Sequence, residues 1–184
     1  MNIENGRPQS PEGRLPRELR TYDFLDGLGI NYARIDHDAA NTMDACEAVD
    51  LALGTEMCKN LFLCNRQQTE FYLLLMPGKK KFRTKDLSAQ IQSFRLSFAG
   101  EEHMLALLDI LPGSVSVLGL MNDGEHRVNL LIDRDLLKDE YLGCHPCVNT
   151  SSLRLLQKDL WERFLPATGH TMRIVDLPGE EGAV

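Results

Sequence analysis

The chain has 184 residues, 43% of them hydrophobic, which is enough to bury one sizeable core without requiring a second domain. Its net charge of -7 argues against a broad nucleic-acid footprint, because clustered Lys and Arg supply most of the binding to phosphate. The apolar runs are too short for a membrane-spanning helix of about 20 residues, and polar residues stand where a secretory signal needs apolar ones. We therefore expect a cytoplasmic protein with no DNA or membrane partner.

The first 54 residues are predicted to hold two helices and one strand. Residues 1–15 contain glycine and proline without apolar periodicity, and we interpret them as a flexible N-terminal arm. Pro16 fits the first turn of a helix, and residues 32–37 alternate in the manner of a short strand. A second helix follows, with Thr42 as its N-cap and Gly54 at its end.

Two apolar strands are predicted next, at 57–64 and 70–76. The polar residues 65–68 between them are typical of an antiparallel hairpin. A basic run at 79–85 leads into a helix that ends near Gln92. A charge run of this kind is equally compatible with a solvated turn.

The second half of the chain is predicted to continue this alternation. The predicted elements are strand 95–99, a helix from 100 that ends before Pro112, strands 115–120 and 128–133 as a returning pair, a short helix 135–138, an extended segment 148–155, helix 158–165 and strand 171–177. Because several strand pairs have hairpin-length connections, a purely parallel sheet is excluded. We predict a single α+β domain over 16–178 with a mixed, largely antiparallel sheet surrounded by helices, and an acidic tail over 179–184.

Cys144-His145-Pro146-Cys147 raises the question of a metal or redox site. Cysteines two residues apart can share a zinc ion or form a reversible disulfide. A structural zinc site needs four ligands, however, and the sequence has no second cysteine pair or histidine pair at a suitable spacing. The pattern favours small apolar cysteines that flank a loop, in which His145 is held between Gly143 and Pro146.

Lys59 and Gly113 are the other candidates. Lys59 opens an apolar strand, so its ammonium either reaches solvent at the strand end or points into a cleft to bind phosphate or polarise an ester. A glycine before a strand lets backbone N–H groups approach a ligand and hold an oxyanion, but such turns are common. The residues alone leave both interpretations open. A nucleophile elbow, a dinucleotide fingerprint and a phosphate-loop motif are all absent from the sequence.

Taken together, these residues resemble the free-standing prolyl-tRNA editing proteins of the YbaK type, which are related to the editing domain inserted in bacterial prolyl-tRNA synthetases. The resemblance covers residues 17–177. It is carried by Lys59-Asn60-Leu61-Phe62-Leu63, Phe71-Tyr72-Leu73-Leu74, Arg95-Leu96-Ser97-Phe98-Ala99, Pro112-Gly113-Ser114-Val115-Ser116 with Gly119-Leu120-Met121-Asn122-Asp123, and His145-Pro146-Cys147-Val148-Asn149-Thr150. Within the family, the chain looks most like the branch that removes alanine from proline tRNA.

The resemblance implies hydrolysis of the ester between a wrong amino acid and the terminal ribose of tRNA(Pro). A pocket built for proline cannot strongly reject alanine, since one missing methylene is worth only about 1–3 kcal/mol, so a second, smaller site removes the error. It also implies attack by water, helped by a ribose hydroxyl of the tRNA, without a nucleophilic side chain, a cofactor or a metal. The implied partners are mischarged tRNA(Pro) and prolyl-tRNA synthetase.

The resemblance implies a catalytic set of Lys59, Gly113, Ser114 and His145. Lys59 would grip the phosphate or ribose of the terminal nucleotide. Gly113 and Ser114 would stabilise the developing oxyanion or hold the small side chain of the amino acid. His145 would shape the pocket.

The implied substrate-binding residues are Asn60, Val115, Arg95 and Lys81. Arg95 and Lys81 would contact the acceptor stem, which reconciles an acidic protein with an RNA partner. The family's glycine loop usually reads Gly-x-x-x-Pro, whereas Val117 stands here at the proline position. This departure favours one alternative, a non-catalytic module of the same fold that binds tRNA or a synthetase. Another alternative is a regulatory protein that senses an amino acid.

Overall fold

The computed structural model describes residues 2–39 and 43–179. The strands are β1 (Ile3–Asn5), β2 (Tyr32–Asp36), β3 (Lys59–Cys64), β4 (Phe71–Met76), β5 (Ser97–Phe98), β6 (Val128–Asp133), β7 (Tyr141–Cys144), β8 (Ser151–Leu156) and β9 (Met172–Val175). The α-helices are α1 (Pro16–Gly27), α2 (Met43–Leu53), α3 (Thr84–Ile91), α4 (Glu101–Leu108), α5 (Gln157–Asp159) and α6 (Leu165–Thr168). Two 3-10 helices span Val117–Asn122 and Arg134–Lys138, and a π-helical segment at Leu160–Phe164 joins α5 to α6. No helix in the described ranges is long and apolar enough to cross a membrane.

The strands pair into two sheets. The four-stranded sheet has the order β1-β2-β8-β7, and all of its pairs are antiparallel. The five-stranded sheet has the order β5-β3-β4-β6-β9, in which β4, β6 and β9 are parallel and the other pairs antiparallel. The predicted α+β class with largely antiparallel pairing is confirmed. The strands divide between two sheets, a division that the sequence does not indicate.

Two apolar cores result from this arrangement. The larger core contains side chains from both sheets, for example Leu153 of β8 and Phe62 of β3, and also from α1 and α4. The smaller core lies on the opposite face of the five-stranded sheet, where Leu63 shares a cluster with Leu87 and Ile91 of α3. Neighbouring residues of β3 therefore serve different cores, as the alternation of side chains along a strand requires.

The hairpin predicted at 57–64 and 70–76 is confirmed as β3 and β4, with Lys59 opposite Met76 and Cys64 opposite Phe71. The helices predicted in the first two thirds of the chain are confirmed as α1 to α4. Both results follow from strong periodic patterns bounded by glycine and proline.

The prediction of a strand over 115–120 is wrong. Ser116 instead caps the 3-10 helix Val117–Asn122, and its hydroxyl oxygen accepts a hydrogen bond from the Leu118 N–H at 3.2 Å. A serine that bonds its own backbone in this way competes with strand pairing. Consequently β6 has no hairpin partner before it, and it pairs in parallel with β4 and β9.

The prediction that residues 1–15 lack regular structure is wrong at β1. Arg34 of β2 is buried, and its guanidinium needs partners within the protein. Glu4 of β1 forms an ion pair with Arg34, and the Gly6 carbonyl accepts a hydrogen bond from Arg34 Nε at 3.3 Å. The first strand therefore covers a buried cation.

A further difference concerns β7, a segment that the sequence assigned to the loop around His145. It forms because β8 offers a partner over its whole length, from Tyr141 opposite Leu156 to Cys144 opposite Leu153. The predicted N-cap Thr42 lies outside the described residues, as does the tail beyond residue 179.

Within the described ranges, the backbones of the two sheets meet near the start of β3. Met57 and Gly143 form an isolated parallel bridge, and the Cys58 N–H donates to the Gly143 carbonyl at 3.0 Å. A Cβ atom on Gly143 would lie 2.7 Å from the Glu56 carbonyl oxygen and 3.1 Å from Met57 Cα. Only glycine allows the two backbones to approach so closely.

We predict that Gly143→Ala lowers the free energy of unfolding by about 1–3 kcal/mol, because the added methyl group forces the two backbones apart. Urea unfolding measures the change. Gly124→Ala is the matched control, since a Cβ atom there meets nothing within 4 Å, and we expect it to stay within about 0.5 kcal/mol of wild type. Equal stability of the two variants would show that the bridge tolerates a side chain.

Candidate active site

A cleft of about 500 Å³ opens where α2 and both sheets meet. It brings together Lys59, Gly113 and His145, three predicted site residues that lie far apart in the sequence. We call it the His145 cleft. Its other lining residues are His37, Cys46, Glu47, Val49, Asp50, Glu56, Met57, Gly78, Lys79, Asn149 and Ser152.

Lys59 is the first residue of β3 and is half-buried at the edge of the cleft. Its ammonium donates a hydrogen bond to the Lys80 carbonyl at 2.6 Å, which fixes the end of a long and otherwise mobile side chain. An ammonium has three N–H donors, so this bond leaves donors for a ligand. The side chain is therefore held at the cleft by the protein's own backbone.

Asn60 points away from Lys59, because successive side chains of a strand alternate between faces. Its Oδ1 accepts a hydrogen bond from the Val117 N–H at 3.1 Å, and its Nδ2 donates to the Cys58 carbonyl at 3.2 Å. Asn60 is not among the lining residues of the His145 cleft. In this arrangement it ties β3 to the segment that follows Gly113.

The glycine loop contributes less to the cleft than the sequence predicts. Gly113 has a φ angle of +85°, a left-handed conformation that favours glycine, and it lines the cleft. The backbone N–H of Ser114 donates to the Leu111 carbonyl at 3.1 Å, so this N–H is already used inside the turn. Val115 is half-buried against the larger core. Gly113 is thus the residue of this loop that meets the cleft.

The two remaining predicted residues lie outside the His145 cleft. Arg95 is exposed just before β5 and lines neither this cleft nor the groove beside it. Lys81 lies in that neighbouring groove, which shares Lys59 with the cleft. The structure therefore brings Lys81, but not Arg95, close to the predicted catalytic residues.

His145 is held in one orientation by the backbone. Its Nδ1 lies 2.8 Å from the Ser151 carbonyl oxygen, and because a carbonyl only accepts, Nδ1 carries the proton. In the neutral ring, Nε2 then carries a lone pair. Burial lowers the pKa of His145 from its usual 6.5, and nearby His37 lowers it further, although the hydrogen bond to Ser151 acts in the opposite direction. The ring is therefore a hydrogen-bond acceptor at neutral pH.

His37 is a lining residue that the sequence analysis missed. Its ring centroid is 6.4 Å from that of His145, and its Nε2 lies 2.8 Å from the Ser152 hydroxyl oxygen. The pairing of β2 with β8 brings these residues together, since Asp36 stands opposite Ser151. A short sequence motif cannot predict this contact, because it depends on the pairing of two strands that lie more than a hundred residues apart in the chain.

A charged network lies behind the two histidines. The Ser151 hydroxyl donates to Asp36 Oδ1 at 2.6 Å, and Arg14 also binds Asp36, at 2.6 Å. Burial raises the pKa of Asp36, but hydrogen bonds from Arg14, Arg34 and Ser151 outweigh this effect and hold the pKa well below its usual value. Because Asp36 stays ionised, Ser151 is fixed, and the carbonyl that orients His145 is fixed with it.

The cysteines next to His145 are buried thiols. Burial raises the pKa of Cys147 to about 12 and that of Cys144 well above its usual value. Cys58 behaves in the same way, with a pKa of about 12. Among the residues that the structure describes, no group of three or more His, Cys, Asp or Glu side chains is arranged to hold a metal ion. The interpretation of Cys144 and Cys147 as small apolar residues agrees with their burial.

Comparison with known proteins assigns the family. Residues 37–162 match the aminoacyl-tRNA editing domain. The prolyl-tRNA editing protein ProX of Acetoanaerobium sticklandii is 33% identical over 153 residues, which cover 83% of this chain and 93% of ProX. The mouse prolyl-tRNA synthetase associated domain-containing protein 1 is 28% identical over 151 residues, which cover 79% of this chain and 88% of the mouse protein.

A crystal structure of a candidate trans-editing enzyme for prolyl tRNA synthetase has the same fold, with a TM-score of 0.65 at 19% identity over 89% of this chain and 98% of that one. The chain belongs to the aminoacyl-tRNA editing domain family. The predicted enzyme class, an aminoacyl-tRNA deacylase that hydrolyses an ester, is confirmed by this membership.

We predict that acid destabilises the wild-type protein more than His145→Gln. The pKa of His145 is lowered on folding, so below pH 6.5 the unfolded chain takes up a proton that the folded protein resists. The contribution of His145 to stability is therefore present above pH 6.5 and is lost as the pH falls. Urea unfolding from pH 7.5 to 5 measures this difference. Parallel pH profiles for the two proteins would contradict the assigned pKa direction.

Proposed function

We propose that this protein is a trans-editing hydrolase that deacylates mischarged tRNA(Pro), with Ala-tRNA(Pro) as its substrate. The observation that carries the proposal is the meeting of Lys59, Gly113 and His145 in one cleft of a chain that belongs to the editing family. The name of the bacterial relative, a prolyl-tRNA editing protein, supports the choice of tRNA. Prolyl-tRNA synthetase is the second partner, because it produces the mischarged substrate.

The size of the His145 cleft supports a substrate that enters only by its end. Its volume of about 500 Å³ lies within the range of small-molecule sites, about 300–1,000 Å³. Such a cleft admits one aminoacylated nucleoside and is too small for an RNA duplex. The acceptor stem therefore stays outside, and only the terminal adenosine with its ester enters.

Lys59 is proposed to hold the terminal nucleotide. Its ammonium is fixed by the Lys80 carbonyl and keeps further N–H donors for a phosphate or ribose oxygen. Fixing one end of the substrate positions the ester relative to the backbone, which lowers the entropic part of the barrier. Lys59 acts in this scheme as a handle for the tRNA and not as a nucleophile.

Gly113 and His145 are proposed to define the reacting end of the cleft. Gly113 has no side chain, so the aminoacyl group can lie directly against the backbone. The Nε2 lone pair of His145 accepts a hydrogen bond from the attacking water or from the amino group of the substrate. A ribose hydroxyl of the tRNA assists the water, which attacks the ester carbonyl and releases the amino acid. Ser114 supports the turn, since its N–H is engaged there.

Val117 does not weaken the catalytic proposal. Its N–H donates to Asn60 at 3.1 Å, so the loop is fixed to β3 by a hydrogen bond that proline at this position could not make. The stiffness that a proline ring would supply is thus replaced by a contact between two elements. The alternative of a non-catalytic module loses the observation that favoured it.

We expect release of amino acid from Ala-tRNA(Pro), and slower release from Cys-tRNA(Pro) and Ser-tRNA(Pro). The reason for testing all three is that cysteine and serine differ from alanine by one added sulfur or oxygen atom, so the relative rates measure how strongly the cleft selects for the smallest side chain. The measurement is loss of labelled amino acid from each tRNA with time. No release from any substrate would overturn the proposed function, and faster release of cysteine or serine would overturn the choice of alanine.

We predict that Lys59→Met lowers kcat/KM for deacylation about 10- to 100-fold, because a hydrogen bond from a charged group to the substrate is lost. Methionine keeps most of the apolar stem, so thermal stability should change little. Lys158→Met is the control, because Lys158 is an exposed lysine on α5 outside the lining of the cleft. A matching loss of stability and activity in Lys59→Met would assign Lys59 a purely structural role.

A further inference from the structure

A second groove lies beside the His145 cleft, over the smaller core. It has a volume of about 690 Å³ and shares Lys59 with the cleft. We call it the Phe98 groove. Its lining residues are Lys59, Leu61, Lys81, Phe82, Arg83, Phe98 and Gly179.

The floor of the Phe98 groove follows one face of β3. Leu61 and Lys59 lie on the same face, because they are two residues apart on one strand. Phe98 joins them from β5, where it stands opposite Leu63. A chain that leaves the His145 cleft at Lys59 can therefore continue along this face of β3, past Leu61, to Phe98.

Phe98 is unusually exposed for a large apolar side chain in a strand. It is 61% exposed, whereas Leu63 opposite it is fully buried. The ring of Phe82 stands next to it, with centroids 6.4 Å apart and planes at 69°. An exposed aromatic surface rimmed by polar groups is typical of a binding site.

The charge of the Phe98 groove is positive in a protein of net charge -7. Among the residues that the structure describes, its lining contains Lys59, Lys81 and Arg83 and no acidic residue. Arg83 donates a hydrogen bond to Asp86 at 2.7 Å, so its charge is partly compensated. Lys81 is exposed, and among the described residues it has no ion-pair partner.

Exposed aromatic side chains next to cations suit a ligand that carries flat bases and a phosphate backbone. Proteins that bind single-stranded nucleic acid stack bases on aromatic side chains and follow the backbone with Lys and Arg. An apolar peptide would match the rings but would offer no anionic group to the exposed ammonium of Lys81. The groove fits a short single strand better than either a protein or a duplex.

We propose that the Phe98 groove binds the unpaired nucleotides that precede the terminal aminoacylated adenosine of the substrate. A base stacks on Phe98, Lys81 binds the phosphate of that segment, and Lys59 stands at the junction with the His145 cleft. This inference rests on the proposed function for the identity of the strand. Its test uses a binding measurement that does not depend on hydrolysis.

The probe is the ribonucleotide tetramer ACCA, and its affinity for the full chain is measured by fluorescence anisotropy. We expect Phe98→Ala to weaken binding about 5- to 150-fold through the loss of stacking on one base, and Phe98→Trp to retain it. Phe94→Ala is the matched control, because Phe94 is 85% exposed and lies outside the groove. Thermal unfolding verifies that the variants are folded.

The phosphate contact has a separate readout. The logarithm of the binding constant should fall with the logarithm of salt concentration, and Lys81→Met should reduce this slope by about 0.7, the value for one phosphate of a single strand. Lys138→Met, which removes an exposed lysine outside the groove, should leave the slope unchanged.

The outcomes separate the two proposals. Absence of tetramer binding to the wild type, or equal affinity of Phe98→Ala and wild type, overturns the assignment of the groove even if alanine is released from Ala-tRNA(Pro). Tetramer binding that depends on Phe98 and Lys81 supports the groove even if no alanine is released, a result that would overturn only the proposed function.

Discussion

The geometry of the site depends on the contact between Met57 and Gly143, which brings the edges of two separate sheets within bonding distance. Two residues beyond Met57, the chain presents Lys59, and two residues beyond Gly143 it presents His145. The hydrogen bond from the Cys58 N–H to the Gly143 carbonyl fixes the register of these segments. One backbone contact therefore sets the spacing between a cation and an imidazole that no local sequence feature connects.

The parts of the fold that the sequence predicts well are those with local causes. Strands β3 and β4 follow from two apolar runs around a polar turn, and the position of Lys59 at a strand end follows with them. Residues 115–120 also alternate like a strand, but Asn60 takes the Val117 N–H and Ser116 caps a 3-10 helix. Asn60 and Val117 are 57 residues apart in the sequence. A local pattern of residues therefore cannot show that their hydrogen bond favours the 3-10 helix over a strand.

The candidate site shows the same division. Residue type and position made Lys59, Gly113 and His145 candidates, the family resemblance favoured a functional role for them, and the structure brings all three together in one cleft. It does not place Arg95 there, because β5 is only two residues long and Arg95 precedes it on the surface. The sequence does not identify His37 as a site residue, because His37 comes close to His145 only when β2 pairs with β8. Charge and residue type indicate candidates, whereas strand pairing decides which of them meet.

The burial of Arg34 has a consequence for the beginning of the chain. Its side chain is only 2% exposed, and its partner Glu4 belongs to a strand of three residues with no core of its own. Without Glu4, Arg34 would keep Asp36 as an ion-pair partner, and because Glu4 is itself 59% exposed, the loss would cost less than the about 3–5 kcal/mol of a pair that is buried on both sides. A shortened chain that starts after β1 would keep every residue of the cleft and still lose part of its stability. Residues 3–6 thus contribute to stability although they lie outside the cleft, and a tag or a partner domain fused before them has to leave Glu4 able to reach Arg34.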